Sequence, residues 1–216
     1  VTVGVEGFYS EAAHPNRARA VNPGGWAGQQ GQDFIELHRS PDVDFGVVHL
    51  WSKKWGVPEV ERLGFTKGWV SAHTEDMSAL NKPLLLEEFG LEVAEPPRDL
   101  RQRDVVFSEV YAVVEEVATG ASPLQGSLFW AFYADKDDRC GAATCDGYGV
   151  EISDSSTLAV VSAHIAAWLR PQPPSAAAAM SLAATPVAST DAGTVEARRL
   201  RRRVRRRLRR LVRGAP

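Results

Sequence analysis

Four residues that could carry out chemistry or hold a sugar stand at nearly equal intervals along the chain. Glu6, His49, Glu88 and Trp130 are 43, 39 and 42 residues apart, and each ends a short apolar run. A carboxylate can act as a nucleophile, an imidazole can orient it, and a flat aromatic ring can stack against a sugar. These residue types favour cleavage of glycosidic bonds over acyl or phosphoryl transfer.

Motifs of other reaction classes do not occur in the sequence. The chain has no Gly-x-Ser-x-Gly elbow, no phosphate-binding Walker loop and no clustered His/Cys motif for a metal. We therefore expect neither a cofactor nor a metal ion. Trp51, two residues beyond His49, is a second aromatic candidate for sugar binding.

The elements that must position these residues alternate between strand and helix. Each apolar run rich in β-forming residues is followed by a segment that could form a helix. The strands are predicted at 1–5, 43–50, 84–88 and 127–132, and the helices at about 33–38, 66–80, 98–120 and 154–170, the last with an N-cap serine. This alternation predicts an α/β fold with a parallel sheet covered by helices.

A barrel explains the spacing better than an open doubly wound sheet. Reactive side chains gather at the carboxyl ends of the strands in a (β/α)₈ TIM barrel, and the observed intervals fit βα units with generous loops. An open nucleotide-binding sheet should have a glycine-rich turn after its first strand, and "VEGFYSE" is not one. The prediction is a (β/α)₈ barrel of which only the last four βα units are present.

The stretch "KPLLLEEFG" (82–90) raises the question of which glutamate faces the site. Side chains alternate along a strand, so Glu87 and Glu88 should point in opposite directions. Glu88 is the last residue before Phe89-Gly90, where the chain leaves the strand. We therefore expect its side chain at the open end of the barrel. Glu87 is then expected among the outer helices or loops, paired with a base. The alternative for Glu88 is a carboxylate in a salt bridge at a strand end.

Charge is unevenly distributed. Residues 1–190 hold 25 acidic and 14 basic residues, while eleven arginines lie in 198–213. The acidic residues 1–190 lack the basic patch expected of a nucleic-acid-binding surface. No run is long and apolar enough to span a membrane. The first residues, "VTVGVEGFYS", begin directly in strand-like alternation without a signal-peptide layout, so we expect the chain to be a fragment.

The composition changes after residue 170. We predict a barrel portion at 1–170, a low-complexity linker at 171–197 and an arginine-rich amphipathic tail at 198–216. Such a tail suits anionic membrane surfaces or polyanions, and it is equally well explained as a segment without selected function. Cys140 and Cys145 leave a local disulfide open, since two thiols without nearby histidines decide little.

An ordered set of motifs resembles the C-terminal half of the β-mannanases of glycoside hydrolase family 5. The motifs are "VTVGVEGFYS", "GQDFI", "VDFGVVHLW", "GWVSAH", "NKPLLLEEFG", "SLFWAFYAD" and "DGYGV", within residues 1–169. The resemblance implies a retaining endo-β-1,4-mannanase that acts on mannan or glucomannan. It also implies an extracellular, secreted enzyme that is monomeric when complete.

The same resemblance implies roles for the candidate residues. Glu88 matches the nucleophile before Phe/Tyr-Gly, His49 a histidine that shapes the site, and Trp130 the floor under the cleaved sugar. Trp51 stands where the family often has a tyrosine, which leaves the hydrogen-bond donor to Glu88 open. Glu6 resembles a position on the aglycone side.

The acid/base residue of the family has no counterpart in the chain. It follows an asparagine, and no Asn-Glu dipeptide occurs here. A retaining glycosidase needs two carboxyl groups about 5–5.5 Å apart, so we expect the chain alone to be inactive. Two alternatives remain open: another family 5 β-glycanase acting on cellulose or other glucans, and a non-catalytic protein that binds carbohydrate or a surface.

Overall fold

The computed structural model describes residues 1–93, 99–133 and 147–170. These residues belong to one unit, Val1–Ser175. The two cysteines, the linker at 171–197 and the tail at 198–216 lie outside the described residues, so the predictions made for them stay predictions.

Three parallel strands form the main sheet, with neighbours in chain order β1-β2-β3. A second, two-stranded parallel sheet pairs β4 with β5. In chain order the elements are α1 (Pro15–Val21), α2 (Phe34–Arg39), β1 (Gly46–Leu50), α3 (Arg62–Ala79), β2 (Leu84–Phe89), α4 (Arg101–Val117), β3 (Leu124–Ser127), β4 (Phe132–Tyr133), β5 (Val150–Glu151) and α5 (Ser155–Trp168), with 3₁₀ turns at Ala27–Gln29 and Glu59–Glu61. Parallel neighbours linked by helices are the repeating unit of an α/β barrel.

The predicted first strand, 1–5, is not a strand in the structure. The segment nevertheless runs beside β1, where the Asp44 amide donates to the Val1 carbonyl at 2.8 Å and the His49 amide donates to the Glu6 carbonyl at 3.1 Å. Too few ladder hydrogen bonds join the two segments to define a strand. The alternating pattern of residues 1–5 therefore predicted an extended segment beside β1, but not the absence of regular strand pairing between the two.

Other predicted boundaries also differ. The strand predicted at 127–132 is divided between β3 and β4, because the chain leaves the sheet after Ser127. The N-cap of α5 is Asp154 instead of a serine. Helix α1 was not predicted at all; its seven residues are too few to show a helical period, although Pro15 in its first turn is a common start signal.

The core lies between the sheet and the helices and is rich in aromatic residues. Trp69 of α3 is 1% exposed, and its indole N–H donates to the His49 carbonyl at 2.8 Å. One turn later, His73 Nε2 lies 2.8 Å from the Gly7 carbonyl oxygen. Helix α3 thus holds both the segment that carries Glu6 and the strand that carries His49. None of the helices in the described segments has the length and apolar character required to cross a membrane.

Candidate active site

Three carboxylates surround the imidazole of His49. Its Nδ1 lies 3.5 Å from Glu6 Oε2 and 3.4 Å from Glu88 Oε2, and its Nε2 lies 3.4 Å from Glu87 Oε2. The three glutamates are each between a quarter and two fifths exposed, whereas the histidine is mostly buried. The structure therefore brings together the predicted residues Glu6, His49 and Glu88, and it adds Glu87.

The position of Glu87 corrects the expectation that it faces the outer helices. Val48 of β1 pairs with Leu86, but the next residue, His49, pairs with Glu88. This shift of register leaves Glu87 as an extra residue in β2, as in a β-bulge, which re-aims side chains. Strict alternation fails at this point, so both glutamates reach His49.

Gly7 allows the chain to turn directly after Glu6. Its φ is +106°, which side-chain-bearing residues rarely adopt, and a Cβ there would lie 2.9 Å from Val48 Cγ1 and 3.0 Å from the Trp69 ring. The turn brings Glu6 to the end of β1, where its carbonyl accepts from the His49 amide. Glycine is therefore required both for the conformation and for the close packing.

The two candidate tryptophans have different environments. Trp130 is 44% exposed, and its amide donates to the Phe89 carbonyl at 2.8 Å, so its backbone is tied to the residue after Glu88. Trp51 is only 7% exposed and its ring meets Tyr148 edge-on, with centroids 5.1 Å apart. Trp130 is thus partly exposed, whereas Trp51 packs as a supporting residue in this structure.

The surroundings of His49 raise its pKa. Burial acts in the opposite direction, but the Glu6 carboxylate next to Nδ1, the charge of Glu88 and the contact with Glu87 together outweigh it. Nδ1 and Glu6 Oε2 are both buried without a directed hydrogen bond, and the contact between them becomes an ion pair when His49 is protonated. A protonated His49 would partly neutralise the three carboxylates.

We expect His49 to titrate above its ordinary value of 6.5. Because its pKa is raised in the folded state, its charge stabilises the protein fully below 6.5, and this contribution is lost as the pH rises through the folded-state value. Nitrogen-detected NMR of the imidazole measures the pKa, and Glu6→Gln should lower it. Glu11→Gln, which removes an exposed carboxylate of the same segment, is the control and should leave it unchanged. A pKa at or below 6.5 would contradict the ion-paired arrangement.

Comparison with known proteins identifies the family of this chain. Residues 9–139, more than half of the chain, match the family described as GH family 5 beta-mannosidase-like. The chain belongs to this glycoside hydrolase family. Mannan endo-1,4-beta-mannosidase 1 of Oryza sativa subsp. japonica is 38% identical over 166 residues, which are 75% of this chain and 37% of that protein. Mannan endo-1,4-beta-mannosidase 7 of Arabidopsis thaliana is 35% identical over 74% of this chain and 36% of its own length.

Solved structures show the same fold. The endo-beta-1,4-mannanase of Thermotoga petrophila superposes with a TM-score of 0.61 at 26% identity, over 79% of this chain and 36% of that chain. The endo-1,4-beta-mannanase of Rhizomucor miehei gives a TM-score of 0.58 at 22% identity, over 79% and 41%. The family 5 chain is thus part of a (β/α)₈ barrel, and it spans little more than a third of the curated relatives that it matches.

Two residues of the site were missed by reasoning from the sequence. Glu87 was placed on the wrong face because a register shift leaves no mark in the residue pattern. Tyr148, which packs against Trp51, lies in the "DGYGV" motif that was recognised for its resemblance but not for its contact. An aromatic residue between two glycines was the available signal.

Proposed function

We propose that this family 5 chain provides the nucleophile side of the active site of a retaining endo-β-1,4-mannanase. Glu88 attacks the anomeric carbon of a mannosyl unit, the glycosidic C–O bond breaks, and water later hydrolyses the glycosyl-enzyme. The observation that carries this proposal is the Glu88 carboxylate at the end of β2, 3.4 Å from His49 Nδ1. The names of the relatives support mannan as the substrate.

His49 is the positioning residue in this mechanism. Its Nε2 faces Glu87 at 3.4 Å and its Nδ1 faces Glu88 at the same distance, so Glu87 orients the ring that orients the nucleophile. A protonated His49 would place a positive charge beside the Glu88 carboxylate that attacks the sugar. The exposed ring of Trp130 supplies an apolar surface for the sugar bound next to Glu88.

The acid/base carboxyl comes, in this proposal, from a segment outside the 216 residues. Glu6 and Glu88 approach the same nitrogen, so their oxygens are no more than about 7 Å apart, which does not by itself exclude Glu6 from this role. We assign Glu6 to the leaving-group side of the sugar, because it comes from the segment beside β1, opposite to the Trp130 side of β2. The 216-residue chain alone is then expected to release no reducing ends from mannan.

The test is a substrate panel for the enzyme in which the upstream half of the barrel has been joined to this chain. Hydrolysis of mannan and glucomannan in preference to cellulose and mixed-linkage glucan is expected. The reverse preference would favour another family 5 β-glycanase, and mannan binding without release of reducing ends would favour a non-catalytic protein. We further propose that the enzyme acts outside the cell as a monomer, which secretion assays and light scattering would check.

A further inference from the structure

A second cluster of ionisable side chains lies apart from the three glutamates around His49. It consists of His14, which precedes α1, and two residues at the start of α2, Asp33 and Glu36. His14 Nε2 lies 3.5 Å from Asp33 Oδ1 and 3.4 Å from Glu36 Oε1. One ligand atom from each residue lies within 4.8 Å of the other two.

These separations match the coordination of a small divalent cation. Zn²⁺ binds imidazole nitrogen and carboxylate oxygen at about 2.0–2.2 Å in a tetrahedron, whose edges are then roughly 3.3–3.6 Å long. The two distances from Nε2 are tetrahedral edges of this length. The third edge, between the Asp33 and Glu36 oxygens, is within 4.8 Å.

The Nε2 atom of His14 faces the carboxylates of Asp33 and Glu36. It is buried and has no directed hydrogen bond, although the rest of its side chain is a quarter exposed. A bare imidazole nitrogen next to two carboxylates is suited to donate its lone pair to a metal. Asp33, nine-tenths buried, is the second ligand on the inner side.

Backbone contacts hold Asp33 in place before any ion binds. Its Oδ1 accepts from the Glu36 amide at 2.9 Å as the N-cap of α2, and its Oδ2 accepts from the Ser10 amide at 2.8 Å. Glu36 is half exposed, and its Oε1 forms an ion pair with Arg39 Nη2 at 3.1 Å. Arg39 is thus a competitor that an ion would displace from Glu36.

We propose that His14, Asp33 and Glu36 form a zinc site with a fourth position open to water. A nitrogen ligand disfavours Ca²⁺ and Mg²⁺, which are bound mainly by oxygen. The ion would join the segment before α1 to the start of α2, on the connection between Glu6 and β1, and would involve none of the residues of the proposed reaction. The spacing of residues 14, 33 and 36 matches no zinc motif, which is why the sequence predicts no metal.

The test uses the full 216-residue chain with Cys140→Ser and Cys145→Ser, so that thiols do not bind the ion. Calorimetric titration with Zn²⁺ should give one ion per chain, and Co²⁺ in its place should show the visible absorption of a tetrahedral complex. His14→Gln should weaken binding more than about 100-fold, beyond the loss caused by residues that only support a ligand. Glu11→Gln, an exposed carboxylate nearby, should not change it.

Further variants decide the result if His14→Gln does not fold. Glu36→Gln alters an exposed side chain without removing the N-cap and should also weaken binding, whereas Arg39→Gln should strengthen it by freeing Glu36. Mg²⁺ and Ca²⁺ should not compete. Absence of stoichiometric Zn²⁺ binding, or binding that none of these substitutions alters, would overturn the proposal and leave His14 as a neighbour of two carboxylates without a metal.

Discussion

Replacing Glu88 by glutamine should reduce mannan hydrolysis about 10⁴-fold or more in the enzyme completed with its upstream half, because the amide cannot form the glycosyl-enzyme. Initial rates of reducing-end release measure this loss. The Glu88→Ala variant with added azide should form an α-glycosyl azide, since the small anion attacks from the face that the carboxylate occupied. Turnover retained in the glutamine variant would contradict the assignment of the nucleophile.

The neighbouring glutamate is the matched control. Glu87 lies one residue away in the same strand and touches the same imidazole, yet in the proposed mechanism it acts only through His49. We expect Glu87→Gln to lower kcat about 10–100-fold, the range found for groups that support a reacting residue, and to lower the pKa of His49. Azide should not rescue it. An equal loss in both variants, or azide rescue of Glu87→Ala, would contradict the roles assigned to Glu87 and Glu88.

The largest effect on stability is expected for Arg103→Met. Arg103 of α4 is fully buried, with its guanidinium paired to Asp154 at the start of α5 and donating to the Gly149 carbonyl at 2.9 Å. Removing the cation from a buried pair costs about 3–5 kcal/mol, because the carboxylate stays buried without it. Urea unfolding of the full chain should show this decrease in the free energy of unfolding.

Two further variants separate the buried pair from general effects of losing an arginine. Arg101→Met removes an exposed arginine two residues earlier, paired with the exposed Asp99, and should leave the free energy of unfolding nearly unchanged. Arg103→Met combined with Asp154→Asn should recover part of the loss, since neither charge remains. Similar unfolding curves for Arg101→Met and Arg103→Met would show that the pair contributes little.

Local patterns predicted much of the fold. The run of leucines before Glu87 and the apolar stripe of α4 follow from side-chain periodicity, and the structure has β2 at Leu84–Phe89 and α4 at Arg101–Val117, close to the predicted bounds. The spacing of strand-end residues predicted that Glu6, His49 and Glu88 would meet, because parallel strands bring their carboxyl ends to one edge. The Val48/His49 register shift and the short α1 were not predictable in this way.

The sequence by itself determined the alternation of strands with the helices α3, α4 and α5, the family resemblance, and the approach of Glu6 and Glu88 to His49. The tertiary structure decided which way Glu87 faces, because register depends on pairing between β1 and β2 and not on the alternation within either strand. It also decided that Trp51 is buried while Trp130 is partly exposed, and that His14 meets Asp33 and Glu36. Each of these depends on contacts between residues far apart in the chain, for which a single sequence contains no periodic signal.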